Sequence, residues 1–211
     1  MAAAIKFYHN PMSRGRVVLW MLEEVGASYE VDIRDFTKRE HKSPAYLAVN
    51  PMGKIPAIVH KNTAITETAA ICAYLADAFP EAKLAPRLDD PARGSYYRWF
   101  FFGASCFHVA IVDKFLDRPV PERTGALGYG TLSDTVATLE GALRQHPFLC
   151  GNQFSAADLY MAAAIGWGLM TKALDLSPVF TAYLGRCTDR PAYRRADELN
   201  KSFEAKLKAG A

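Results

Sequence analysis

Cysteine is scarce in this chain and widely scattered: Cys72, Cys106, Cys150 and Cys187 are the four, with no Cys-x-x-Cys pair among them. That argues against a disulfide framework, a cysteine-built zinc site and a dithiol redox centre; reduced, mostly buried thiols and no metal site are expected. Long apolar runs are missing as well. The longest apolar stretches, residues 99–104 and 107–112, are broken by Ser105, Cys106 and His108 and are too short to span a bilayer. Charge of one sign is in short supply, 25 Lys+Arg standing against 22 Asp+Glu for a balance of +3. This is too mild to argue for nucleic acid or a membrane surface as partner, and it leaves room for a small anionic ligand. Met1 is followed by Ala-Ala-Ala-Ile-Lys without the basic and apolar regions of a signal peptide, so a cytoplasmic protein is expected.

What is present is an ordinary apolar half of the composition, ample for a core in one large or two modest domains. Residues 5–8 read as a short strand and His9-Asn10-Pro11 as a turn. Val17, Val18, Met21, Leu22 and Val25 then recur at helical spacing up to Gly26. Residues 29–33 alternate like a strand, Ser43-Pro44 opens a short helix through Val49, and residues 55–60 and 64–66 are strands around a Lys61-Asn62 turn. A helix carrying Ala70, Ile71, Tyr74, Leu75 and Ala78 starts at Thr66 or Glu67, giving the order β-α-β-α-β-β-α. Pro80, Pro86 and Pro91 then break both periodicities and mark a linker. Beyond it only helical spacing recurs, with Ser155 and Asp158 placed as a capping box and Phe154 against Leu159 as its staple. The domains expected are 1–81, a linker at 82–91, and an all-helical 92–211. Arg186, Arg190, Arg194 and Arg195 are expected on a solvated helical face.

Four stretches, Asn-Pro-Met-Ser-Arg-Gly-Arg-Val (10–17), Asn-Pro-Met-Gly-Lys-Ile-Pro-Ala-Ile (50–58), Thr-Glu-Thr-Ala-Ala-Ile-Cys-Ala-Tyr-Leu (66–75) and Phe-Ser-Ala-Ala-Asp-Leu (154–159), together resemble the cytosolic glutathione transferases, of bacterial type with a serine-like active site. The resemblance implies an α/β thioredoxin-like N-terminal domain that binds glutathione and an all-α C-terminal domain. It implies that Pro56 is cis and that the Ile55 backbone grips the cysteinyl part of glutathione as an antiparallel partner. Lys54 would meet a carboxylate of the tripeptide, and His41 would touch the glycyl end. Glu67 and Thr68, at a helix N-terminus whose N–H groups favour an anion, would hold the other end, unless both simply cap the helix.

Chemistry on glutathione needs its thiolate, and a thiol of pKa about 8.5 is only roughly 3% ionised at pH 7. A downward shift of about two units is worth about 2.7 kcal/mol, within reach of one hydrogen bond to the charged sulfur plus a helix N-terminus. Ser13, at the start of the first helix, is the candidate to donate that bond. The alternative is that it only caps the helix. In tyrosine-type relatives the phenol occupies the slot that Asn10 holds here, and Tyr8 is expected to be packed. The electrophile side is assigned to Met12, Phe102 and Cys106, within an aromatic run whose faces the sequence does not sort.

The expected function is conjugation of glutathione, the cosubstrate, to a small hydrophobic electrophile, by a homodimer without nucleic-acid or membrane partners. Glutathione-dependent isomerisation on the same site, and a non-catalytic ligand-binding or interaction protein of the same fold, are the alternatives.

Overall fold

Apolar residues on both faces make β1 (Ile5–His9) an interior strand: of its five residues only Lys6 reaches solvent. It pairs in parallel with β2 (Tyr29–Ile33) and antiparallel with β3 (Ala57–His60), which pairs antiparallel with β4 (Thr63–Thr66), for a sheet order β2-β1-β3-β4. Lys61 and Asn62, both at positive φ, form the two-residue turn between β3 and β4. The computed structural model describes residues 5–209.

Helix α1 (Gly15–Val25) buries Val18, Leu19, Leu22 and Val25 and ends at Gly26, whose left-handed φ of 63° lets its N–H close on the Leu22 carbonyl. Helix α2 (Pro44–Leu47) has Ser43 as its N-cap, with Tyr46 N–H donating to Ser43 Oγ at 3.3 Å, and Pro44 at a first-turn position that needs no donor. Helix α3 (Thr68–Ala78) buries Ile71, Cys72 and Leu75. Each apolar side chain so buried contributes about 1.5–3 kcal/mol. The thioredoxin-like arrangement of sheet and helices is therefore present, in the expected order. Strand β3 starts at Ala57 rather than Ile55 because Pro56 has no N–H to give the ladder.

Two units divide the chain: one runs up to Lys83 and resumes at Asp189, and the other is Leu84–Thr188. The expected division at 82–91 lies close to the first boundary, but the expected extent of the helical domain, 92–211, differs in its tail. Helix α9 (Pro191–Ala209) belongs with the first unit and packs along α1. Arg190 forks onto both Glu24 oxygens at 2.7 Å, Arg195 reaches Glu23 at 2.9 Å, and Tyr193 meets the Trp20 ring edge-on. These two arginines are thus not on a purely solvated face, since the Glu24 carboxylate is nearly buried.

The second unit contains α4 (Ala92–Phe101), a π-helical turn (Phe102–Phe107), α5 (His108–Phe115), α6 (Leu132–Gln145), α7 (Ala156–Met170) and α8 (Pro178–Thr188). Its core includes Tyr96, Trp99, Phe107, Ile111, Leu139, Leu159, Phe180 and Tyr183. Asp158 gathers the start of α7. Its carboxylate accepts from Ser155 N–H at 2.9 Å, Ser155 Oγ at 2.7 Å, Leu149 N–H at 2.8 Å and Tyr183 Oη at 3.0 Å. This is the capping signal read from the sequence, with a phenol and a second loop added. Among the described residues no helix is long and apolar enough to cross a membrane, and no cluster of His, Cys, Asp and Glu could hold a metal ion.

Candidate functional site

The register of the sheet sets Tyr8, Ala57 and Thr66 side by side on β1, β3 and β4. The segment leaving β1 (residues 10–13), the one entering β3 (54–56) and the one leaving β4 (67–68) therefore converge at one end of the sheet. Ser13, Lys54, Ile55, Pro56, Glu67 and Thr68 are brought to that end by topology alone. Tyr8 itself is buried against Tyr46 and Ala57, packed as expected.

Asn10 builds the first segment. Its side chain donates to the Arg34 carbonyl at 2.7 Å and accepts the Met12 N–H at 2.8 Å, while its carbonyl accepts the Ser13 N–H at 3.0 Å. This is an Asx turn closed as a β-turn, and it leaves Met12 72% exposed. Ser13 Oγ accepts the Gly15 N–H at 2.9 Å and donates to the Asn10 carbonyl at 2.7 Å. The same carbonyl keeps the Ser13 N–H, so the hydroxyl proton can swing to another acceptor without leaving it bare.

The second segment is held by Asn50, Tyr46 and Lys42. Asn50 accepts the Met52 N–H at 3.1 Å and donates to the Lys54 carbonyl at 2.8 Å, and the Tyr46 phenol donates to that same carbonyl at 2.5 Å. Lys42 Nζ donates to the Met52 carbonyl at 2.8 Å. The Ile55–Pro56 bond is cis. Ile55, two residues before β3, lies outside the ladder, with its backbone at the end of the sheet. Lys54 is exposed; His41, in the turn after β2, rests edge-on against Phe36.

At the third segment Glu67 takes a φ of 65°, a left-handed conformation that L-residues adopt at a cost of about 1–3 kcal/mol and that clusters at ligand clamps. Among the described residues no side chain caps α3. The first-turn N–H groups of this eleven-residue helix, which Thr68 begins, thus receive no side-chain cap, Glu67 included.

Under the first segment lies His9. Its Nε2 is 3.1 Å from Asn200 Oδ1 on α9, while Nδ1 is buried and finds no partner among the described residues. Burial pushes its pKa down to about 4, Asn200 opposing and Arg16 adding to the shift, so the ring is neutral. A Cβ on Gly15 would sit 2.3 Å from His9 Nδ1 and 3.0 Å from Ser13 Oγ, so any side chain at the start of α1 would force the imidazole to shift.

In the second unit, Phe102 and Cys106 lie in the π-helical turn. The Phe102 ring meets Trp99 edge-on at 5.4 Å, and Cys106 Sγ donates to the Gly128 carbonyl at 3.5 Å. The aromatic run sorts into buried Tyr96, Trp99, Phe100 and Phe107 and exposed Tyr97 and Phe101. Sequence reasoning missed Asn10, Asn50, Tyr46, His9 and Asn200. One signal for the first two was available, the repetition of Asn-Pro-Met at 10–12 and 50–52.

Comparison with known proteins gives consistent matches. The family model for the glutathione S-transferase N-terminal domain matches residues 3–77 and that for the C-terminal domain residues 122–187. The glutathione S-transferase GstA of Escherichia coli O157:H7 is 27% identical over 197 residues, covering 91% of this chain and 96% of that protein. A glutathione transferase from Methylococcus capsulatus superposes with a TM-score of 0.78 at 30% identity, over 94% of this chain and 99% of its own. A sphingomonad glutathione S-transferase complexed with glutathione gives a TM-score of 0.77 at 30% identity, over 93% and 98%.

Proposed function

The chain belongs to the glutathione S-transferase family of enzymes, and from that premise we propose that it holds glutathione at the converging sheet end and that Ser13 ionises its thiol. The observation that carries this reading is the register that sets residues 10–13, 54–56 and 67–68 together. The Ile55 backbone offers an N–H and a C=O to the cysteinyl residue in strand fashion. The uncapped start of α3 and the Thr68 hydroxyl take the γ-glutamyl carboxylate, Glu67 takes its ammonium, and Lys54 with His41 faces the glycyl end.

Catalysis is then an exchange of hydrogen bonds. Ser13 Oγ turns its proton from the Asn10 carbonyl, which retains the Ser13 N–H, to the sulfur, gaining a charge-assisted bond of about 1.5–3 kcal/mol in place of a neutral one of about 0.5–1.5. The thiol proton goes to solvent. The thiolate forms a C–S bond to an electrophilic carbon of a small hydrophobic substrate, and the electron pair of the broken bond departs with the leaving group. Exposed Met12 is proposed to flank that substrate; Phe102 and Cys106 are the second unit's candidates by resemblance alone. The homodimer belongs to the same proposal and is read by sedimentation.

The test is turnover of chlorodinitrobenzene with glutathione consumption followed in parallel, and glutathione binding by calorimetry, for wild type and Ser13→Ala. Conjugation predicts consumption matched to product and a kcat at least about 10-fold lower in Ser13→Ala with glutathione still bound. The local satisfaction of the Ser13 hydroxyl favours a second reading, a ligand-binding protein in which Ser13 only caps the turn. It predicts binding without turnover in either protein. Turnover of an unsaturated substrate with no glutathione consumed would identify an isomerase.

A further inference from the structure

Resting on the reading of Ser13 above, we propose that Asn200, on the C-terminal helix, is a positioning residue for the Ser13 turn, acting through His9 and the Pro11 carbonyl. Asn200 is buried within the first unit and stands outside the four motif stretches in the chain. Its Nδ2 donates to the Pro11 carbonyl at 3.3 Å and its Oδ1 faces His9 Nε2 at 3.1 Å. A carbonyl can only accept, so the Pro11 contact fixes which end of the carboxamide is which. Oδ1 must then receive a proton, and His9 is locked as the Nε2–H tautomer.

Two consequences follow for Ser13. One end of the carboxamide holds the turn itself, because Pro11 lies between Asn10, which accepts the hydroxyl, and Ser13. The other end holds the imidazole beside Gly15, with Nδ1 bare and turned toward the Cβ position of that glycine, whose neighbour on the same side is Ser13 Oγ. The ring has no freedom to drift, wedged against Phe7 at 5.0 Å and edge-on to Phe203 of the same C-terminal helix at 5.7 Å. A proton on Nδ1 would add a donor beside Gly15, whose own N–H already serves Ser13 Oγ. The bare nitrogen keeps that arrangement unchallenged. Helix α9 is itself riveted to α1 by Arg190–Glu24 and Arg195–Glu23, so the frame that carries Asn200 does not depend on Asn200.

A merely structural role for Asn200 would lower stability and spare the chemistry; a positioning role moves the ionisation of bound glutathione. The experiment titrates thiolate ultraviolet absorbance of bound glutathione in wild type, Asn200→Ala and Arg195→Ala, each with its melting temperature and its kcat and KM on chlorodinitrobenzene. The expected result is a thiol pKa raised toward its free value and a kcat about 10-fold or more lower in Asn200→Ala, with the KM for glutathione within about threefold. Arg195→Ala, weakened in the same helix contact, keeps both. An unshifted pKa and kcat in Asn200→Ala, alongside a wild type that does ionise its ligand, overturns the positioning role and leaves the Ser13 reading standing. A wild type that binds glutathione without ionising it overturns both. Should Asn200→Ala fail to fold, nitrogen NMR of the wild-type imidazole decides: Nε2–H on His9 supports the assignment, and Nδ1–H removes it.

Discussion

Asn-Pro-Met occurs at residues 10–12 and again at 50–52, and the two copies fold alike. In each, a buried asparagine donates to a carbonyl outside its four-residue turn and accepts the methionine N–H, its own carbonyl closes on the N–H of the fourth residue, and the methionine stands in solvent, 72% and 64% exposed. They differ at the fourth position. Ser13 is not among the positive-φ residues, carries a hydroxyl and leads into a helix, whereas Gly53 takes a φ of 59° and leads into Lys54, Ile55 and the cis Pro56. One local design thus serves two ends: the first copy displays a side chain and the second displays backbone.

The comparison breaks most visibly under acid. The first copy sits on buried His9, whose pKa is pushed down to about 4 from an ordinary 6.5; the second contains no titratable residue. Between those values the unfolded chain binds a proton that the folded chain refuses, so stability falls as pH drops from about 6.5 to 4, by about 3 kcal/mol. Urea unfolding at stepped pH should show this loss in wild type and lack it in His9→Gln; an equal slope in both would mean that His9 is not the group. Next come the glycines. Gly53→Ala places a Cβ 2.8 Å from the His41 carbonyl at a left-handed backbone position, and should cost about 2–4 kcal/mol. Gly15→Ala has no φ penalty but presses on His9 Nδ1, and should cost about 1–3 kcal/mol while lowering kcat.

The asparagines sharpen the contrast further. Asn10→Ala removes the side-chain donor to the Arg34 carbonyl and should cost about 2–3 kcal/mol; Asn50→Ala leaves the Lys54 carbonyl with the Tyr46 phenol and should cost about 1 kcal/mol. The smallest effect expected is Tyr46→Phe, about 0.5–1.5 kcal/mol alone but more in the Asn50→Ala background, where the carbonyl loses both donors. Chemical denaturation of the four proteins forms a double-mutant cycle, and strict additivity would show that the two donors are not interchangeable.

Much of this was written locally and could be read locally. Apolar spacing in α1, the glycine that ends it, the Lys61-Asn62 turn and the Ser155–Asp158 cap each depend on neighbours a few residues away, and all appear where the sequence placed them or nearly so. Helix α9 was legible as a helix but not as part of the first unit, because an amphipathic period states that a face is covered without stating by what. Arg190 shows the same limit: its carboxylate partner is Glu24, 166 residues away in the chain. Ser13 and Ile55 could be named from their motifs, while Asn200 and Tyr46, which bond to those turns from elsewhere, carry no signature of that task in their own surroundings.

We propose that the first turn ionises what the second turn holds, and thiolate absorbance of bound glutathione against pH, in wild type and Ser13→Ala, is the decisive test of that claim. The claim predicts a thiol pKa about two units below the free value of about 8.5 in wild type, lost in Ser13→Ala with binding retained. An equal pKa in the two proteins would contradict it and reduce Ser13 to the cap of its turn.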